Sequence, residues 1–192
     1  MRFVGIDPGK DGAVAWFDEH RQGIVIRDCP LWPHRDYNFT AMFDLLLEAT
    51  SGGGIVTLEQ VHSMPNDGKV QAFAFGRGFG AWEMAAAAAR VPLLLVRPEK
   101  WKLTMLAGLG KGKLPSVQQA CRLFPAVAAS GKLYGPKGGL EDGRAEALLI
   151  AEYGRRNWKL SGGSVIVPRG TNAKGTPCNQ ASALRRISPL TS

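Results

Sequence analysis

Cysteine is scarce in this chain and badly spaced for chemistry. Cys29, Cys121 and Cys178 are odd in number, far apart and without a C-x-x-C pair, which argues against a disulfide framework and a cysteine-built zinc site. Histidine is as thin, with His20, His34 and His62 scattered singly. No apolar run reaches the roughly 18 residues of a membrane span, and the N-terminus lacks the apolar core of a signal peptide. These absences predict a cytoplasmic protein with no membrane partner. Two nucleotide-binding loops are missing as well. Gly76-Arg77-Gly78-Phe79-Gly80 is glycine-rich without the dinucleotide spacing and does not directly follow a strand. Near Lys113, a Walker A loop would need glycine where Ala107 stands and a hydroxyl directly after the lysine, whereas Ser116 comes later.

Acidic residues are the remaining shortage. There are 16 Asp and Glu against 24 Lys and Arg, giving a net charge of +8 and a pI near 9.7. Such a balance suits a polyanionic partner, nucleic acid first, although a basic protein without that role has the same composition. From Arg155 onward the chain holds Arg155, Arg156, Lys159, Arg169, Lys174, Arg185 and Arg186 and no acid, among Gly, Ser, Pro and Asn without periodicity. Residues 159–192 therefore read as a basic, flexible C-terminal tail, or one ordered only on DNA. Residues 1–158 read as one domain, since 192 residues with 45% apolar content suffice for a single full core.

The segment Arg2-Phe3-Val4-Gly5-Ile6-Asp7-Pro8-Gly9 reads as a strand ending in a carboxylate, and Gly12 to Phe17 restarts as a second strand after a short turn. A carboxylate at the end of an apolar central strand costs desolvation unless a cation or donor meets it. Asp7 is thus a candidate metal ligand, or else a turn aspartate capping its own backbone. Gly23 to Arg27 supplies a third short strand, so the opening is an antiparallel meander. Asn38 to Ala49 reads as a helix capped by Asn38 or Thr40, broken by Gly52-Gly53-Gly54. The apolar run Ile55-Val56-Thr57-Leu58 again ends in a carboxylate, Glu59.

Gly68 to Pro92 carries small residues that let another backbone approach, either the sheet of the same domain or a second copy of the chain. Pro92 to Val96 reads as a fully buried strand, leaving for a basic, aromatic loop over 97–102. A helix follows from about Pro115 to Phe124, then a polar Gly/Lys loop over 131–139. A strongly helical run opens at Leu140-Glu141-Asp142. Glu141 complements the helix dipole there. Asp142 and Glu146, four apart, lie on one helix face, where like charges repel unless a cation joins them.

Three meandering strands, a helix, a strand, a helix, a strand and further helices make the order of an RNase H-like fold: α/β, with a mixed five-stranded sheet of three antiparallel strands followed by two parallel ones, flanked by helices. Four acids from three distant segments would converge where two divalent cations about 3.5–4 Å apart are held. The blocks Gly5-Ile6-Asp7-Pro8-Gly9, Leu58-Glu59-Gln60-Val61 and Asp142-Gly143-Arg144-Ala145-Glu146-Ala147-Leu148 resemble the signature blocks of RuvC-type Holliday junction resolvases, most closely a phage or prophage branch. The resemblance spans roughly residues 1–158 in order and spacing. It departs in two respects: the bacterial enzymes carry two aspartates three residues apart on the last helix, and the basic C-terminal tail is extra to their pattern.

The resemblance implies a Mg²⁺-dependent endodeoxyribonuclease, with Mn²⁺ able to substitute and two ions per site. Asp7, Glu59, Asp142 and Glu146 would be the catalytic, metal-binding acids. A homodimer would cut two opposed strands of a four-way junction by paired symmetric nicks, giving 5′-phosphate ends in recombination or repair. Lys100, Lys102, Lys111, Lys113, Lys132, Lys137 and Arg144 are the expected DNA contacts. Trp101 and Phe75 or Phe79 would be wedge or stacking groups at an opened junction, or simply core. His62 would assist water activation, or be a solvated loop histidine. The runner-up is an RNase H-like nuclease acting on flaps, other branched DNA or RNA. A non-catalytic junction-binding protein is a further alternative, against which all four acids are present. Actin-like kinases share the strand-Asp-x-Gly opening but need two lobes.

Overall fold

The structure, a computed structural model, describes residues 1–61, 68–110, 112–135 and 137–160, with backbone only at 159 and 160. His62, Lys111 and nearly all of the expected tail lie outside the described residues.

Five strands form one mixed sheet: β1 (Arg2–Ile6), β2 (Ala13–Asp18), β3 (Val25–Asp28), β4 (Gly54–Glu59) and β5 (Leu93–Val96), in the order β3-β2-β1-β4-β5. The first three are antiparallel neighbours, while β4 runs parallel to both β1 and β5. The expected RNase H-like arrangement is therefore present. Six helices join them among the described residues: α1 (Phe39–Thr50), α2 (Lys69–Ala88), α3 (Pro98–Met105), α4 (Leu114–Leu123), α5 (Pro125–Ala129) and α6 (Asp142–Leu160). None is long and apolar enough to cross a membrane.

Alternation along the strands sorts the core into two layers. Val4, Ile6, Val14, Trp16, Val56 and Leu58 bury one face against Met42, Leu45 and Leu46 of α1 and Trp82, Ala85 and Ala86 of α2. Phe3, Ala13, Ala15, Phe17 and Ile55 bury the other against α3, α4 and above all α6, whose Ala147, Leu148 and Ala151 are fully enclosed. Each large side chain so buried contributes about 1.5–3 kcal/mol.

Helix α6 lies so close to the sheet that small residues are required where they meet. A Cβ on Gly5 would run into the backbone of Ala147 and Ala151, and one on Gly154 into the Thr57 hydroxyl. The far end of α6 is tied by charge. Glu152, fully buried, accepts hydrogen bonds from Arg21, Arg155 and Arg156 at 2.6–3.2 Å.

Several details depart from the sequence reading. Residues 98–105 are helical rather than loop: Pro98 occupies the first turn, where its missing N–H costs nothing, and Glu99 complements the dipole. β5 is the edge strand, so Leu93, Leu94 and Leu95 are only partly buried and Val96 alone is enclosed. The cap of α1 is Asn38, whose side chain accepts from the Ala41 N–H at 3.1 Å. On α2, Gly78 packs within the chain, against Tyr37 and the Pro8 carbonyl, while Gly76 and Gly80 face open space.

Candidate active site

The strand period that sorts the core also gathers the acids. Phe3 and Gly5 point toward α6, so Asp7, next in the alternation, does too; Ile55 and Thr57 do the same for Glu59. Ile6 stands opposite Leu58 in the parallel pairing, which brings Asp7 and Glu59 side by side where the two strands end. Helix α6 then delivers Asp142 and Glu146 from its first two turns. Its entry is fixed by Gly143, where a Cβ would meet the Asp11 carbonyl and Gly12. All four acids line one cleft of about 420 Å³.

Each carboxylate has a partner. The Asp7 Oδ1 accepts the Gly9 N–H at 3.1 Å, so the turn reading of Asp7 and its place in the cleft are both present. Glu59 Oε1 accepts the indole N–H of Trp101 at 2.8 Å, in a buried contact. Glu146 Oε1 accepts the Ser116 hydroxyl at 3.0 Å and pairs with Lys102 Nζ at 3.1 Å. Asp142 Oδ1 pairs with Lys113 Nζ at 2.9 Å.

Burial pushes the Asp7 carboxyl up to about 7, with the charges of Glu59 and Glu146 adding to the rise and the Gly9 N–H and Lys102 opposing it. Glu59 is raised as well, first by burial, and Trp101 counteracts. Burial pulls the Lys102 ammonium down, but Glu146, Glu59 and Asp7 together hold it above its ordinary value. A cleft that gathers acids costly to ionise together is one that a cation would relieve.

Among the described residues, no three acidic, histidine or cysteine side chains stand in a ready-made metal-ligand arrangement. Two of the four acids are instead neutralised by lysine. The four acids nonetheless offer only carboxylate oxygens, and among the described residues no sulfur or imidazole lines the cleft, which fits a hard cation such as Mg²⁺ or Mn²⁺.

The cationic residues expected to touch DNA fall in different places. Lys102 and Lys113 stand at the cleft acids. Lys100 is exposed on α3, and Lys132 and Lys137 are exposed in the segment between α5 and α6. Arg144 makes a two-pronged pair with Asp28 at 2.5 and 2.6 Å and donates to the Lys132 carbonyl at 3.0 Å. Trp101, weighed as a wedge, is fully enclosed and part of the core. Phe79 packs against the α1–α2 layer, whereas Phe75 lines the cleft.

Sequence reasoning missed Lys10 and Arg35, which line the same cleft. Lys10 was findable, being three residues from Asp7 in the same turn. Arg35 was not: it reaches the cleft from a loop with a left-handed backbone (φ 60°), paired with Asp11 at 2.6 Å. Ser116 and the Trp101 contact also left no signal in the sequence, because each is a buried donor made by tertiary packing.

No protein-family model matches this chain, and no curated protein does. Solved structures do. RuvC of T. thermophilus in complex with a Holliday junction substrate is similar at 18% identity and TM-score 0.57, over 85% of this chain and 97% of that one. A second Thermus thermophilus RuvC structure is similar at 23% identity and TM-score 0.51, over 82% and 97%. At these identities the likeness establishes the fold.

Proposed function

We propose that this chain is a RuvC-type endonuclease that cuts four-way DNA junctions by metal-dependent phosphodiester hydrolysis. The observation that carries the reading is the convergence of Asp7, Glu59, Asp142 and Glu146 on one cleft of an RNase H-like fold. The similarity in fold to a RuvC bound to a Holliday junction supports the substrate class, and so does the net charge of +8.

Asp7, Glu59, Asp142 and Glu146 would hold one or two Mg²⁺ or Mn²⁺ ions, which supply polarisation of the phosphodiester and a water acidic enough to attack at neutral pH. The remaining work falls to the chain. Trp101 holds one oxygen of Glu59 by a rigid donor, and Ser116 does the same for Glu146. Lys10, Arg35, Lys102 and Lys113 set positive charge around the cleft acids, suited to the phosphates flanking a scissile bond. Lys100, Lys132 and Lys137 extend positive charge outward along the surface; Lys111 and the basic tail, outside the described residues, would add phosphate contacts of their own. Arg144 would contribute by exchanging its Asp28 partner for a phosphate.

Paired symmetric nicks require two sites facing one junction, hence a homodimer. Support comes from α2, where Val70, Phe73 and Met84 are 84%, 70% and 68% exposed on one stripe with Gly76 and Gly80.

The test is side-by-side incubation with Mg²⁺ and end-labelled four-way junction, flap, linear duplex and RNA–DNA hybrid. Paired nicks with 5′-phosphate ends confined to the junction are expected. Preferential cutting of the flap or hybrid moves the assignment to another RNase H-like nuclease, and binding without cutting makes the chain a junction-binding protein.

A further inference from the structure

The four acids of the cleft fall into two kinds. Asp7 and Glu59 take hydrogen bonds from donors that cannot leave, a backbone N–H in a tight turn and the indole of an enclosed tryptophan. Asp142 and Glu146 carry ammonium groups on long, flexible stems, which for Glu146 come in addition to the fixed Ser116 hydroxyl. The Lys113 side chain is 69% exposed and that of Lys102 is 42% exposed, so either can swing into solvent without opening the core.

A divalent cation at Glu146 or Asp142 competes with the ammonium for the same oxygen lone pairs and repels it at short range. A displaced Lys102 has a resting place nearby, since its Nζ already lies 5.1 Å from the centre of the Trp101 ring. Both lysines would remain beside the cleft that Lys10 and Arg35 also line, with their carboxylate partners taken. A DNA phosphate entering the cleft then offers each ammonium a new anion, in competition with Glu59 and Asp7 near Lys102 and with Asp11 and Glu141 near Lys113.

We propose that Lys102 and Lys113 are exchange cations: they neutralise Glu146 and Asp142 in the metal-free protein, and metal binding releases them to DNA phosphates. The inference rests on the nuclease reading above. Its consequence is thermodynamic linkage, in which metal strengthens junction binding and the junction strengthens metal binding by the same factor. In the metal-free protein the cleft masks its own positive charge, so metal-free encounters with DNA are held weakly there.

Mn²⁺ binding to the full-length, metal-free protein, followed without DNA by the paramagnetic resonance signal of the free ion, tests the exchange. Lys102→Met should bind Mn²⁺ at least about threefold more tightly than wild type, as expected when a competing ion pair is removed. Arg27→Met, which removes a charge on strand β3, should leave the affinity unchanged. Wild-type binding with Lys102→Met equal or weaker overturns the exchange and leaves the nuclease reading standing. Absence of Mn²⁺ binding, or binding indifferent to Glu146→Gln, overturns both.

A second arm compares junction affinity by fluorescence anisotropy in Ca²⁺ and in EDTA. Wild type should gain affinity with Ca²⁺, and the double variant Lys102→Met/Lys113→Met should lose at least about threefold of that gain. An equal gain in the double variant contradicts the proposal.

Discussion

Trp101 donates its indole N–H to the Glu59 carboxylate across 2.8 Å, and both groups are withdrawn from solvent. The contact ties helix α3 to the end of strand β4 and holds one oxygen of a cleft acid in place. Trp101→Phe keeps a ring in the core and removes the donor. Glu59 then loses the interaction that counteracts its burial, so the acid limb of the junction-cleavage pH profile should move to higher pH. Leaving one buried oxygen unpaired costs about 1–3 kcal/mol, so cleavage at pH 7 should fall about tenfold or more. An acid limb unmoved in Trp101→Phe contradicts the positioning role.

The raised carboxyl of Asp7 makes a prediction about stability. Its folded value is about 7 against an ordinary 3.8, so the metal-free native state holds a proton that the unfolded chain has released between those two values. Stability from this group is therefore full below about pH 4 and is lost as pH rises through 7. Asp7→Asn should raise the Tm of the metal-free protein at pH 8 and change it far less at pH 4. Added Mg²⁺ should raise the wild-type Tm at pH 8 more than that of the variant. Calorimetry at the two pH values, with and without Mg²⁺, measures both effects.

Glu152 behaves in the opposite sense. Its burial is outweighed by Arg155, Arg21 and Arg156, which lower its carboxyl from 4.5 to about 2. Its contribution is present above about pH 4.5 and disappears as pH falls through 2. Glu152→Gln strands three guanidinium groups and should destabilise the fold by about 3–5 kcal/mol. Urea melts at pH 7 measure the loss, and the gap between variant and wild type should narrow toward pH 2.

The exposed stripe on α2 predicts the assembly. Phe73→Glu places a charge among Val70, Gly76, Gly80 and Met84, and light scattering should then find a monomer where wild type is a dimer. The variant should still nick single strands but lose paired cuts. A wild-type monomer in solution and on the junction contradicts the homodimer.

Much of this architecture was legible in the chain because it depends on short-range pattern. An apolar run stopped by Pro8-Gly9 marked β1, and one that begins after the Gly52–Gly54 break marked β4, together with the acids at their ends. The four-residue spacing of Asp142 and Glu146 by itself put both on one helix face. What could not be read depends on tertiary contact. Trp101 sits in a basic stretch that reads equally as wedge or core, and only the packing of α3 on α6 and β4 turns its indole onto Glu59. Arg35 reaches the cleft through a loop whose path no periodicity specifies. Lys102 and Lys113 were legible as cations, but their pairing with Glu146 and Asp142 was not, since it requires α3 and the residue preceding α4 to meet the start of α6.

The central claim is that the four acids form one hydrolytic centre. It is tested most directly by single-turnover cleavage of a four-way junction in Mg²⁺ by Asp7→Asn, Glu59→Gln, Asp142→Asn and Glu146→Gln, with junction binding measured in parallel in Ca²⁺. Each variant should bind the junction and cut it at least about a thousandfold more slowly than wild type, the scale of losing a group that stabilises the transition state. A variant that cuts at close to the wild-type rate would remove its residue from the centre, and near-normal rates in all four would contradict the assignment of this cleft.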